Sequence, residues 1–237
     1  GGRDLAQRDL GPAPMRAPRA AAVPPTRLLR RNLPTALMLV VILFFLFTAR
    51  VIYGPLLLAI EASLGLSHAG AASFFLFIVV GYGLMMLFSG YVAARLHHRR
   101  VILLAVAVTC LGLALIVVSR SLAMIRVGLM LLGGGSGLYF PSGVPTITSL
   151  VDSRDEGKVI ALHEVGPNAA FVVAPILAAL LLPVASWKTI LLAIAGFGVL
   201  AGLTFALFGV GGRFSGQPPH LENARVILGR PSFWIMA

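Results

Sequence analysis

The chain holds 237 residues, 58% of them hydrophobic and only 11% charged, with a formal net charge of +11 and a mean hydropathy of +0.95. A soluble domain averages about 45–50% apolar and about 25% charged residues, so a water-bathed fold is excluded and a lipid bilayer is the expected solvent. Nucleic acid is excluded as a partner too: a binder gathers its cations into a stripe on a folded surface, whereas these fall in the gaps between apolar runs.

Residues 1–32 form an arm rich in Pro, Ala and Arg with no helical period, expected to be disordered to about Arg27. It does not begin with Met, and Met15 is an alternative start. A membrane-crossing helix needs roughly 20 apolar residues, and six runs qualify: 34–60, 69–91, 101–118, 122–150, 157–182 and 188–210. The first is longer than a signal-peptide core and further spans follow it, so it reads as an ordinary membrane helix. Pro141 and Pro145 are expected to end or bend the fourth run. The bundle therefore occupies 33–210, with a cytoplasmic loop over 211–230 and the start of a seventh helix, cut short, at 231–237. Inside that loop "HLENARVILGR" reads as a short amphipathic helix on the membrane surface. Cys110 stands alone in "VAVTCLGLAL", so no disulfide framework exists and it reads as a small packing residue.

Positive residues favour the cytoplasmic ends of spans. The arm is rich in Arg; Arg95, Arg99 and Arg100 fall in the second loop, Arg154 and Lys158 around the fourth, and Arg213, Arg225 and Arg230 in the sixth. The opposite side offers Arg120, with Lys188 and Arg126 at helix edges. The amino terminus is thus expected in the cytoplasm and the bundle in the plasma (inner) membrane.

The second loop, "GYVAARLHHRR", resembles the Gly-x-Leu-Ala-Asp-Arg-x-Gly-Arg-Lys signature of the major facilitator superfamily. Gly90, Val92, Ala93, Arg95 and the closing basic residues Arg99 and Arg100 match; Ala94 replaces the Asp and His97 the second Gly. "RVIYGPLLLAIEASLGLS" is similar to the end of a family first helix, "GLYFPSG" to a fourth helix and "RPSFW" to the beginning of a seventh. The drug-antiporter pattern of the family's fifth helix is met literally only at Pro175, with Ala161, Ala170, Ala174, Ala178 and Ala179 at the glycine positions. The resemblance implies an all-α integral membrane fold: the six transmembrane helices of one half, the start of a seventh, and a missing carboxyl-terminal half. It also implies a substrate site between the halves near the midplane. The family Asp belongs to a charge network that holds the cytoplasmic side shut. Here one of Asp152, Asp155 and Glu156 in the fourth loop is expected to replace it opposite Arg95; solvated loop charges are the alternative. Arg126 lies one turn nearer the outer surface than the family's fourth-helix Arg, which leaves proton coupling and an outer anchor both open.

A charge inside a span costs roughly 2.5–3.5 kcal/mol on insertion scales, so each one needs a use. Counted from Pro34, Arg50 lies about 24 Å up the first span; it either snorkels to the outer headgroups or faces a cavity. Tyr53, three residues on, is expected to share its face. In the fifth span, "ALHEVGPN" brings His163, Glu164 and Asn168, with Pro167 available for a kink. Glu164 is the first candidate for carrying a proton, with Asn168 on its face; a static hydrogen-bonded pair is the other reading, and His163 points elsewhere on the helix. The depths of Arg50 and Glu164 differ by on the order of 10 Å, room for a substrate or water between them. "GGGSG" at 133–137, with Gly81, Gly83 and Gly90, lets helices come close and tilt against one another.

The function these features imply is secondary active transport of a small solute by alternating access, coupled to protons, as symport or antiport. An integral membrane enzyme and a non-transporting subunit are the alternatives. The chain has no HExxH, no paired Asp motif and no GxSxG with partners, and no cofactor or metal is expected.

Overall fold

A computed structural model describes residues 25–216. Most of the arm, the end of the chain from 217, the amphipathic stretch and the seventh-helix start lie outside the described residues. Eight helices follow in chain order: α1 (Pro25–Val51), α2 (Tyr53–Leu64), α3 (His68–Ala72), α4 (Phe74–Arg95), α5 (His98–Val118), α6 (Leu122–Thr148), α7 (Glu156–Leu181) and α8 (Trp187–Phe208). Among the described residues there is no strand, only an isolated bridge between His97 and Ser215. Six rods are long and apolar enough to cross a membrane: Arg30–Leu64, His68–Arg95, His98–Val118, Leu122–Thr148, Glu156–Leu181 and Trp187–Phe208. They answer the six expected runs one for one.

Local chemistry accounts for the breaks and the starts. Pro55 has no N–H to offer the Val51 carbonyl, and regular helix lapses at Ile52, which keeps helical angles (φ −59°, ψ −24°), so the rod continues into α2. The second, fourth and sixth rods each begin with a serine cap. Ser67 accepts from the Gly70 amide, Ser121 from Met124 and Ser186 from Thr189, taking up an amide that hydrocarbon would leave bare. One expectation is corrected: the first helix starts at Pro25, inside the expected arm, and carries Pro34 within it. Of the two readings of Pro141 and Pro145, an end to the fourth span is ruled out, since α6 contains both and runs on to Thr148. There Thr146 and Thr148 hydroxyls donate back to the Ser142 and Val144 carbonyls, and α6 is buried among neighbours able to support such irregularity.

The rods meet at glycine. A Cβ on Gly81 of α4 would strike the Met130 carbonyl of α6, and one on Gly133 or Gly137 would strike the Ile78 or Tyr82 carbonyl. On the other side of α6, Gly128 faces Gly112 of α5, and Gly135 abuts the Ala105 carbonyl and Thr109. Backbone thus touches backbone across α4–α6 and α5–α6, the close approach through which small residues join membrane helices. Gly166 likewise sets α7 against Val40 and Phe44 of α1, and Gly198 seats α8 on the Phe45 ring. Leu76, Leu87, Leu111, Leu180, Leu203 and Leu207 point outward, an apolar exterior that fits lipid rather than water.

Gly81 and Gly83 sit on the same helix, but nothing lies within 4 Å of a Cβ on Gly83. Gly81→Ala is expected to lower stability by about 1–3 kcal/mol through overpacking. Gly83→Ala is expected to be neutral or to gain up to about 1 kcal/mol of helix preference. Thermal unfolding in detergent separates the two.

Candidate functional site

Arg50 is half-buried, and its guanidinium carbon lies 4.5 Å from the ring centroid of Tyr82 on α4 and 5.1 Å from that of Phe47, one turn below it on α1. Tyr82 sits near the middle of the rod His68–Arg95 and packs against the glycine run near the middle of α6. Arg50 is therefore close to mid-depth, and snorkelling to the outer headgroups is displaced as a reading. The rod continues past Arg50 through α2 to Leu64, which is why a span taken to end at Ile60 and counted from Pro34 set it too high. Among the described residues no carboxylate lies within 4 Å of it; two aromatic faces hold the charge instead.

The wall continues from there. Phe47 meets Phe140 of α6 and Phe171 of α7, each with ring centroids 6.2 Å apart, edge to face. Phe171 shares a stripe of α7 with Asn168 and Glu164, all three exposed. The Glu164 side chain is 48% exposed. Asn168 donates to the Glu164 backbone carbonyl at 2.7 Å, so its amide is spent along its own helix and does not bond the carboxylate. A shallow hollow of about 500 Å³ lies over this stripe, lined by α7 alone; it is a groove on one helix and not an enclosed pocket. Glu164 lies about 15 Å below Arg50 along the bundle axis, counted in residues at 1.5 Å each, and the two form no ion pair.

His163, expected to point elsewhere, is the buried member of this region. Its Nε2 lies 2.8 Å from the hydroxyl of Tyr139 on α6, the two rings stacked, and Tyr139 Oη is 3.2 Å from the Leu39 carbonyl of α1. A phenol has one proton. When it goes to Leu39, His163 must donate from Nε2, which leaves Nδ1 as the basic nitrogen. That nitrogen lies 3.9 Å from Glu164 Oε1. A buried imidazole is thereby set beside an accessible carboxylate, with spans one, four and five meeting around it.

Two expected site residues are placed elsewhere. Tyr53 does not share the face of Arg50: it is fully buried, and its hydroxyl, like that of Thr48, has no partner among the described residues. Arg126 is exposed near the start of α6, 5.4 Å from the ring centroid of Phe77, which is nearer the start of α4 than Tyr82 is. It lies off the aromatic wall and has the geometry of an edge anchor.

At the other end of the bundle, Arg99 donates to the carbonyls of Phe205, Ala206 and Gly209, at 3.1 and 2.9 Å for the first two, and lies over the Phe205 ring. It closes the carboxyl end of α8, sharing the Phe205 carbonyl with the Gly209 N–H and supplying donors to the carbonyls beyond it. Gly211 and Gly212, at φ 85° and 66°, turn the chain back in a conformation other residues resist. Their segment then pairs with the second loop: His98 N–H donates to Phe214, Arg99 N–H to Gly212 and Gly216 N–H to Ala93. His98 itself is buried, 3.1 Å from the Ser142 hydroxyl. The expected pairing of Arg95 with an acidic loop residue is absent. Arg95 and Arg100 are exposed, whereas buried Asp155 accepts from Lys158 at 2.7 Å. Asp152 is half-buried and gives its backbone carbonyl to Asp155, while Gly90 is half-buried within α4. Lys158, one turn along α7 from Asp155, reaches the carboxylate before any residue of the second loop can.

Tyr82, Tyr139, Phe47 and Phe171 were not singled out from the sequence. A signal existed for the tyrosines: a phenol in mid-span needs a hydrogen-bond or charge partner, and His163 and Arg50 were the few groups able to answer. The phenylalanines carry no such signal among so many apolar residues.

A model of the Major Facilitator Superfamily matches residues 39–237. No curated protein matches the chain. Among solved structures, it resembles a bacterial homolog of the human lysosomal transporter Spinster, inward-facing and unoccupied, with TM-score 0.70 and 18% identity over 86% of this chain and 50% of that one. It also resembles the POT family transporter PepTSo (TM-score 0.70, 21% identity, 84% and 41% covered) and a D-xylose–proton symporter (0.62, 14%, 86% and 53%). At such identities the likeness is one of fold, and the chain spans about half the length of these proteins.

Arg99→Gln is expected to cost about 1.5–3 kcal/mol, the range for hydrogen bonds to a charged group, and to loosen the end of α8. Arg95→Gln is expected to stay within about 0.5 kcal/mol. Thermal unfolding, with hydrogen exchange at 205–209, reads both.

Proposed function

Because the chain belongs to the major facilitator superfamily, we propose that it serves secondary active transport of a small solute, with the wall built on Arg50, Tyr82, Phe47, Phe140 and Phe171 as part of the solute path. The observation that carries this reading is Arg50: a half-buried cation at mid-depth, against an aromatic wall drawn from four spans, with no carboxylate beside it among the described residues. A static bundle gains nothing from a charge placed there, whereas carriers bind their substrates near the midplane between two bundles. The backbone contacts at Gly81, Gly133, Gly137, Gly112 and Gly128 favour rocking of the six spans as one body in alternating access. Lipid and the solute are the partners. The bundle lies in the plasma membrane with its amino terminus in the cytoplasm, in keeping with the basic residues gathered at one end.

Proton coupling belongs to the same proposal. Glu164 carries the exchangeable proton, and His163 Nδ1 is the group beside it that accepts a hydrogen bond from the protonated carboxyl, or its proton when the carboxyl ionises. Tyr139 holds the imidazole in place and is a positioning residue. The proton-linked D-xylose symporter shares this fold, which supports the reading without naming a solute.

The test uses proteoliposomes holding the full-length protein and a dye that reports lumenal pH. Addition of a transported solute, drawn from a broad panel, is expected to move protons with it, and an imposed pH gradient to raise solute flux several-fold. Glu164→Gln is expected to abolish the response to the gradient while solute exchange at equal pH persists. Gradient-driven flux at wild-type level in that variant would remove Glu164 from the pathway, and absence of flux for every solute would remove transport.

A further inference from the structure

We infer that the solute is an organic anion with one negative charge on an apolar or aromatic body, its anionic group seated on Arg50; this rests on the transport reading above. The two arginines described most fully set the contrast. Arg99 spends its N–H groups on three backbone carbonyls, as a structural arginine does. Arg50 bonds no carbonyl and no carboxylate among the described residues; two ring faces lie against it, and the Tyr82 hydroxyl is the polar group beside it. Aromatic faces steady a cation but accept no proper hydrogen bond from its donor edge. A guanidinium presents a planar fork that matches a carboxylate two bonds at a time, and such charge-assisted pairs are about twice as strong as neutral ones. The group that completes Arg50 is therefore an oxyanion.

The surroundings set the rest of the molecule. Phe47, Phe140 and Phe171 continue the wall away from Arg50 with rings edge to face, a surface for apolar or aromatic carbon rather than for the many hydroxyls of a sugar. Glu164 is about 15 Å away along the axis, too far to neutralise Arg50. Arg126 sits over Phe77, off this wall. With one cation at this level among the described residues, a second negative charge on the solute would lie unmatched among these aromatic rings, and a positive one would be repelled.

Binding to the full-length protein in nanodiscs tests this, using matched sets of monocarboxylates, their primary amides and the corresponding amines, aliphatic and aromatic, of two to ten carbons. At least one carboxylate is expected to bind at least tenfold more tightly than its amide and amine. Arg50→Gln is expected to weaken that carboxylate at least tenfold and to weaken its amide far less. Arg50→Lys, which keeps the charge and loses the fork, is expected to fall between and serves if Arg50→Gln does not fold. Failure of every carboxylate to bind, an amide or amine that binds as well, or carboxylate affinity indifferent to Arg50 would each overturn the inference. Proton-coupled flux of a neutral or cationic solute would sink the anion and leave transport standing. Carboxylate binding that depends on Arg50, without flux of any solute, would do the reverse.

Discussion

Hydrocarbon offers no hydrogen bonds, and that single absence organises this molecule. Every amide and carbonyl in a span must be answered from within the protein, so the chain resolves into helices and their ends become the places where chemistry is needed. Serines close the starts of three rods. Arg99 closes the end of α8 across more than a hundred residues of sequence. Pro55, Pro141 and Pro145 each remove a donor, and the rods pass over them. Among the described residues, the buried side-chain groups left without a partner are the hydroxyls of Thr48 and Tyr53, both in the first rod.

The same absence makes close packing the means by which helices hold together. Lipid tails are as apolar as leucine, so no hydrophobic force gathers the rods; contact area and backbone proximity must do it. The run Gly133–Gly137 serves two neighbours at once, α4 on one side and α5 on the other, because residues four apart share a helix face and those between them turn away. The result is a bundle whose fourth rod is its spine, with Arg50 and His163 carried by rods on the open side of it.

How much of this could be read from the letters depends on the range of the interaction. Span number and most span limits follow from runs of apolar residues, a signal spread over twenty positions, and they stand. The glycine contacts were foreseeable as a tendency, since small residues in mid-span have one common use. Depth along the first rod was not: the passage through Pro55 into α2 depends on context that a count from Pro34 ignores. The charge network at the second loop was misjudged for a similar reason. Asp155 could be matched with Arg95 on paper, but Lys158 is one turn away and the nearer partner takes the carboxylate. Tyr139 with His163 and Arg50 with Tyr82 join residues 24 and 32 positions apart, and only the folded bundle brings them together.

The segment 211–216 has a mechanical meaning. Its amides and carbonyls are laced to the second loop on both sides of His98, and Arg99 grips the end of the helix from which it emerges. Whatever follows Gly216 leaves the bundle from a mooring. A pull on that point would bear on the first turn of α5 and the end of α8 through these bonds.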